Sequence, residues 1–112
     1  MELIKVTTNE NHEPVVSGRN LHEVLGVKTA YKDWFPRMVE YGFIKNVDFN
    51  PLNFEQVRLE GNREVKREIQ DHVIKLDMAK EIAMIQRTEK GKEVRQYFIQ
   101  VEKDFNSPEK IL

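Results

Sequence analysis

The sequence predicts an α+β fold: a small helical domain with a helix-turn-helix-like pair and a β-hairpin or small antiparallel sheet. Apolar residues recur at intervals of three and four in the first and last thirds of the chain, as amphipathic helices require. Between them, from Asn53 to Leu76, apolar and polar residues alternate on both sides of Gly61-Asn62, which predicts two strands joined by a tight turn. The chain of 112 residues has the length of one domain.

The first third of the chain predicts two short strands and a helix. Residues Met1–Val6 and Pro14–Val16 alternate like strands, and the polar segment Asn9–Glu13 predicts the loop between them. Ser17 is placed to cap a helix, because its hydroxyl can accept a free backbone N–H of the first turn. Gly26 suits the left-handed residue that ends this helix. The apolar stripe of the helix consists of Leu21, Val24 and Leu25.

A second helix is predicted from a cap at Thr29 to a stop at Gly42. Pro36 lies inside this segment and removes the hydrogen bond to the carbonyl of Lys32, which predicts a kink there or a helix that ends near Phe35. The predicted apolar face of this helix consists of Tyr31, Trp34, Phe35 and Met38.

The rest of the chain predicts a hairpin followed by two more helices. Apolar residues in 43–49 precede Pro51, which confines that stretch to an edge strand or a loop. After the hairpin, Asp77 is predicted to cap one helix and Thr88 a longer one, which Pro108 ends. The apolar stripes of these two helices are Met78, Ile82 and Ile85, and then Val94, Tyr97, Phe98, Val101 and Phe105.

Two short helices joined by a glycine turn are typical of the helix-turn-helix motif, whose second helix enters the major groove of DNA. If the aromatic face of the second helix is buried, basic side chains remain on its outer face for phosphate or guanine contacts. The alternative is an ordinary helical hairpin that binds nothing. The predicted DNA contacts on this element are Lys28, Thr29, Lys32, Asp33 and Arg37.

The hairpin carries further basic residues around its predicted turn. They could form a charged wing that lies along the DNA backbone or in the minor groove, or could simply protect an exposed strand edge from aggregation. The predicted contacts on the hairpin are Arg58, Arg63, Lys66 and Arg67.

Composition excludes several classes of protein. The chain has no cysteine, so disulfides and thiolate metal sites are ruled out. It has no apolar run long enough to cross a bilayer, and its start, MELIKVTTNE, lacks a secretion signal, so a cytoplasmic location is expected. The net charge of −1 argues mildly against a strong nonspecific nucleic-acid binder.

No catalytic constellation is apparent. His12, His22 and His72 have no serine or cysteine nucleophile at a spacing that predicts a triad. One acidic and histidine-containing stretch could bind a metal, but a mixed-charge solvated strand is the favoured interpretation; its residues are Glu68, Asp71, His72 and Asp77. We therefore expect neither an enzyme nor a bound metal or cofactor.

Three strings carry a family resemblance: VSGRNLHEVLGVKTAYKDWF, YGFIKNVDF and IKLDMAKEIAMIQRTEKGKEVRQYFIQVEK. In this order they resemble the N-terminal domain of phage antirepressors of the AntA/AntB family, from about Val16 to Lys103. That family is related to the KilA-N and BRO N-terminal domains, which are regarded as DNA-binding modules. The residues that match its pattern are Arg19, His22, Lys28, Thr29, Trp34, Asp77, Met78, Lys80, Arg87, Gly91 and Arg95.

The resemblance implies a phage or prophage regulator in the bacterial cytoplasm that relieves the lysogenic repressor and favours lytic growth. It divides the chain into an AntA-like domain over 1–106 and, at 107–112, the start of a linker to a C-terminal domain. Two hypotheses follow. In the first, the domain binds operator-like double-stranded DNA, with a homodimer expected for a symmetric operator; in the second, it is a protein-interaction domain that binds and inactivates the phage repressor directly.

Overall fold

The computed structural model describes residues 4–106. Four helices and a four-stranded sheet make up this part of the chain, which confirms the predicted α+β class. In chain order the elements are β1 (Thr7–Thr8), β2 (Pro14–Ser17), α1 (Gly18–Leu25), α2 (Tyr31–Val39), β3 (Phe49–Glu60), β4 (Arg63–Lys75), α3 (Leu76–Ile85) and α4 (Glu89–Phe105).

The sheet has the order β1-β2-β4-β3, and all its neighbouring strands are antiparallel. Strands β3 and β4 pair along their whole length from Phe49 opposite Ile74 to Glu60 opposite Arg63, around the predicted turn. Gly61 has φ of 64°, which suits the first central position of a two-residue hairpin turn of type II′. The predicted hairpin is therefore confirmed.

Only the last three residues of β4 pair with β2. The remaining paired part of the hairpin, residues 51–72, extends beyond the other strands, and we call it the arm. From 51 to 70 every residue of the arm is exposed except Val65 and Ile69, which are half-buried. The arm is thus a two-stranded ribbon that leaves both of its faces open.

The core lies between the helices and the base of the sheet. Val16, Phe49 and Ile74 contribute the strand side of this core, which follows from their paired positions on one face of the sheet. The largest fully buried side chains there are Phe98, Ile4, Leu21, Ile74, Met78, Ile82, Val16 and Val94. The predicted apolar stripes of the helices therefore face inward, as their spacing requires, except for Phe105 at the end of α4, which is 42% exposed.

Several predicted boundaries are wrong. Residues 4–6 are not a strand, since β1 is confined to Thr7–Thr8, and residues 1–3 of the predicted strand lie outside the described part. Helix α2 begins after Ala30 and has no side-chain cap, so Thr29 is not its N-cap. Helix α3 follows β4 directly, with Lys75 at the junction, and this places Asp77 inside the first turn.

Helix α2 continues through Pro36 to Val39, so the predicted termination near Phe35 is wrong. Lys32 and Pro36 are both exposed; the carbonyl that loses its hydrogen bond therefore lies on the side of the helix that faces water, where solvation reduces the energetic cost of a proline. Two predicted caps are confirmed: the Ser17 hydroxyl accepts from Asn20 N, and Thr88 Oγ1 accepts from Gly91 N. Pro108 lies outside the described residues.

Candidate nucleic-acid interface

Helix α2 has a buried aromatic side and an exposed polar side. Tyr31, Trp34, Phe35 and Met38 are all buried, so the predicted apolar face is confirmed. Of the predicted contacts on this element, Thr29 is half-buried, and the exposed ones are Lys28, Lys32, Asp33 and Arg37. Within the described part of the chain, the three bases Lys28, Lys32 and Arg37 have no ion-pair or hydrogen-bond partner. Their charges are available to a ligand.

The turn between α1 and α2 is fixed by a histidine. Gly26, with φ of 68°, ends α1 in the left-handed conformation, and residues 26–30 lead into α2. The His22 Nε2 atom lies 2.6 Å from the Thr29 carbonyl oxygen, and the His22 ring lies 5.0 Å from the Trp34 ring. His22 therefore ties α1 both to the turn and to the buried side of α2.

A buried carboxylate joins α1 to the base of the arm. Asp71 is only 5% exposed. Its Oδ2 accepts from the Ser17 hydroxyl at 2.7 Å, and its Oδ1 accepts from the backbone N–H groups of Arg19, at 3.0 Å, and His72, at 2.7 Å. These bonds satisfy free N–H and hydroxyl donors at the start of α1 and hold that helix end against β4.

The next residue of β4 joins the arm to α2. The His72 ring stacks on Phe35 at 3.8 Å with an interplanar angle of 10°, and its Nδ1 lies 2.7 Å from the Tyr31 hydroxyl. Burial lowers the pKa of His72, and burial also raises the pKa of Tyr31 well above its usual range. The hydrogen bond between the Tyr31 hydroxyl and His72 Nδ1 therefore joins α2 to β4, whichever of the two groups donates.

Arg19 completes this junction and is not a free cation. Its guanidinium lies over the Tyr31 ring, 4.6 Å from the centroid, and its Nε–H donates to the Gln70 carbonyl. Gly18 allows the Tyr31 hydroxyl to lie close against the start of α1, because a Cβ at this position would be only 2.2 Å from the hydroxyl oxygen. Helices α1 and α2 and the arm thus meet in one connected set of contacts.

The hairpin register divides the predicted arm contacts between two faces. Successive side chains of a strand point to opposite faces, and directly paired residues share a face. From the pairs Arg58–Val65, Gln56–Arg67 and Glu60–Arg63, three arginines share one face, which we call the basic face: Arg58, Arg63 and Arg67. Lys66 pairs with Val57 and lies on the opposite face.

The arm bases and the α2 bases are not gathered in one cluster. All four arm bases are exposed and lie near the turn at Gly61, whereas α2 packs at the arm's base, against His72. Arg67, the arm base nearest to His72 along the strand, lies five residue steps from it, or about 17 Å at the usual rise per residue. The structure therefore presents two basic regions joined by a common framework.

Sequence reasoning missed the role of Asp71, which it grouped with residues of a solvated strand. That interpretation is wrong for Asp71, which is buried. The sequence does not show this burial, because Asp71 meets the capping Ser17 only through the pairing of β2 with β4. Across residues 4–106, no group of three or more histidine and acidic residues converges to hold a metal ion.

Most residues of the family pattern have structural contacts. Met78 is buried, and the Lys80 ammonium bonds both carboxylate oxygens of Glu102 at 2.9 Å and pairs with Asp77. A Cβ at Gly91 would lie 2.4 Å from the Ala83 carbonyl oxygen, so this glycine lets α4 approach α3. Trp34 is 4% exposed and belongs to the core, as predicted.

Fold and surface define the class: a small α+β domain that presents a helix-turn-helix-like pair and a β-arm. A family model described as AntA/AntB antirepressor matches residues 16–88, a span that holds α1, α2, the arm and α3. The chain belongs to this antirepressor family, which confirms the resemblance over that span. No curated protein and no solved structure gives a significant match. Among residues 4–106, no helix has the length and apolar character needed to span a membrane.

Proposed function

We propose that this antirepressor domain binds double-stranded DNA through the exposed side of α2 and so acts at an operator-like site in the bacterial cytoplasm. The observation that carries the proposal is the two-sided character of α2: its aromatic side is buried, and Lys32 and Arg37 on its other side, with Lys28 in the turn before it, are exposed and have no partner among residues 4–106. Lysine and arginine on the second helix of such a pair can contact phosphates and guanine edges.

The surroundings of α2 favour this function, because a recognition helix must be held rigidly to read a groove. His22 holds the turn before α2, and the bond from Tyr31 and the stack on Phe35 hold its buried side against β4. A short helix anchored at three points keeps its outer side chains in register with a ligand. Catalysis forms no part of the proposal.

A titration of labelled duplex fragments from the phage control region tests the proposal by fluorescence anisotropy. We expect affinity to fall steeply as salt rises, because each neutralised phosphate releases counterions. The double variant Lys32→Ala/Arg37→Ala should weaken binding by about tenfold or more, since two contacts to an anionic ligand are lost.

The matched control removes two exposed bases elsewhere on the domain. Lys92 and Lys103 lie on α4, are exposed and have no partner within residues 4–106. Lys92→Ala/Lys103→Ala has the same net charge as the α2 variant and should bind DNA within about twofold of the wild type, since its lost charges are remote from the contact. Equal losses in both variants would show that only overall charge matters and would contradict the assignment to α2.

A second candidate function is direct binding of the phage repressor. One apolar groove favours it, since contiguous apolar surface commonly marks a protein interface: Tyr41, at 64%, and Met84, at 52% exposed, line it together. A domain that binds no duplex fragment at low salt but binds the purified repressor would establish this function in place of the first.

A further inference from the structure

The exposed charges of the arm balance in number, but they are divided unequally between its two faces. Its exposed side chains include four bases and four acids. The hairpin register places three arginines and Glu60 on the basic face, and it places the remaining acids on the other, which we call the acidic face. The acidic face carries Lys66 with Glu55, Glu64 and Glu68.

The exposed side chains of each face therefore sum to a net charge of two units, of opposite sign; Asp71 is not counted, because it is buried at the base of the arm. None of the four arm bases has an ion-pair partner within residues 4–106, so the charges of the basic face are not neutralised by the protein. A polyanion is attracted to one side of the ribbon and repelled by the other. This sidedness gives the arm a single favourable orientation on such a ligand.

The basic face also carries exposed apolar side chains. Leu52 and Phe54 are 46% and 45% exposed, and Phe54 pairs with the half-buried Ile69. Leu52 and Phe54 lie on the base side of the three arginines. A DNA groove along this face would thus meet arginines, which contact phosphates or the groove floor, and then apolar groups, which contact sugars and base edges.

We infer that the arm lays its basic face along duplex DNA and forms a second contact region, separate from α2, with Arg58, Arg63 and Arg67 as its principal cations. The inference rests on the proposed function, because both assign DNA as the ligand. From Leu52 to Glu60 the arm spans about 30 Å at the usual strand rise, which approaches one turn of B-DNA. Lys66 faces away from the ligand.

A second copy of the chain fits this surface poorly. A two-fold contact between the arms would set like faces together, basic on basic or acidic on acidic. Stacking the basic face of one copy on the acidic face of the next would satisfy the charges but would produce an open chain of molecules instead of a closed dimer. Duplex DNA presents uniform negative charge and meets neither difficulty.

The test compares two neighbouring basic residues, Arg67 and Lys66, that lie on opposite faces of the same strand. Arg67→Ala and Lys66→Ala each remove one exposed, unpaired positive charge from the same strand. Binding of each variant to a duplex of about 30 base pairs is measured by anisotropy from low to moderate salt. We expect Arg67→Ala to reduce the slope of log affinity against log salt by about 1 and to weaken binding by about fivefold, and Lys66→Ala to change affinity by less than about twofold.

The α2 variant distinguishes failure of this inference from failure of the proposed function. If Lys32→Ala/Arg37→Ala weakens binding while Arg67→Ala and Lys66→Ala have equal or no effects, the arm inference is overturned and the function of α2 stands. If Arg67→Ala alone weakens binding, the arm inference stands and the assignment to α2 fails. Absence of wild-type binding at low salt would overturn both. Circular dichroism of each variant checks that the fold is kept.

Discussion

Asp71 is the residue on which the junction of α1, α2 and the arm depends most directly. It is buried, and its two oxygens accept three hydrogen bonds, from the Ser17 hydroxyl and from the backbone N–H groups of Arg19 and His72. Removing an acceptor from a buried site leaves its donors without partners, which is more destabilising than the loss of an exposed bond. Asp71 therefore matters for the position of α1 as well as for stability.

We predict that Asp71→Ala lowers the free energy of unfolding by about 3 kcal/mol, because the Ser17 hydroxyl and two backbone N–H groups lose their acceptor in a buried site. Urea denaturation followed by circular dichroism measures the change. Glu68→Gln, in the same strand but exposed, is the control and should shift stability by less than about 0.5 kcal/mol. Equal effects of the two substitutions would contradict the structural role of Asp71.

Single residues predicted the ends of a helix correctly where hydrogen bonds or backbone conformation within a few residues determine where the helix starts or stops. Ser17, Gly26 and Thr88 act at the positions expected, because a side-chain oxygen or a left-handed glycine satisfies the free backbone groups of a helix end regardless of distant contacts. Thr29 and Asp77 failed as caps because tertiary structure decides there: the Thr29 carbonyl lies against His22, and β4 runs directly into α3. No local pattern contains those two facts.

At the scale of elements, the packing of α4 on α3 depends on a missing side chain. Gly91 lies in the first turn of α4, opposite the Ala83 carbonyl of α3. Helix propensity alone would favour alanine over glycine there by about 1 kcal/mol. The clash of an alanine Cβ with the Ala83 carbonyl oxygen opposes that preference, because a helix backbone cannot change its conformation as easily as a flexible side chain.

Gly91→Ala should therefore destabilise the domain, by about 2 kcal/mol, since the steric strain of an overpacked contact outweighs the gain in propensity. Thermal or urea unfolding of the variant measures this. Lys92→Ala, one residue further along the same helix and exposed, is the matched control and should stay within about 0.5 kcal/mol of the wild type. A Gly91→Ala variant as stable as the wild type would show that the two helices separate without cost.

Element types could be read from the sequence, whereas some element lengths could not. Helix α2 runs past Pro36 because the freed Lys32 carbonyl lies on the exposed side, where water can bind it. The first predicted strand failed over residues 4–6 because Ile4 is buried in the core and its carbonyl accepts from the Tyr97 hydroxyl. This second difference arises from contacts distant in sequence.

At the scale of the whole molecule, the arm is the feature that the sequence only partly predicted. The two strands, their turn and the four bases were predicted, but the separation of charge between faces was not. A two-residue turn at Gly61-Asn62 fixes every pair of the hairpin, so this separation follows from the sequence once the turn is known. The length of the arm beyond the sheet does not follow from the sequence, because it depends on where β2 stops pairing with β4.

The arm can be shortened without altering its turn or the net charge of the chain. Deleting residues 55–60 and 63–68 joins Phe54 and Ile69, which already pair, to the intact turn at Gly61-Asn62; removing an even number of residues from each strand keeps a hydrogen-bonded pair next to the turn. The deletion removes four acids and four bases together. Because the deleted side chains make few buried contacts, the helices and the sheet base should not depend on them.

We predict that the shortened domain keeps its helical circular dichroism and unfolds cooperatively, with a melting temperature within about 5 °C of the wild type, since loss of exposed surface has little effect on stability. The same protein should bind duplex DNA about tenfold more weakly, because the arginines of the basic face are gone. A shortened domain that cannot fold would show that the arm supports the core. One that folds and binds DNA as tightly as the wild type would show that α2 makes the contact alone. A two-stranded ribbon has little stability of its own, so the arm should depend on the body of the domain, while the body does not depend on the arm.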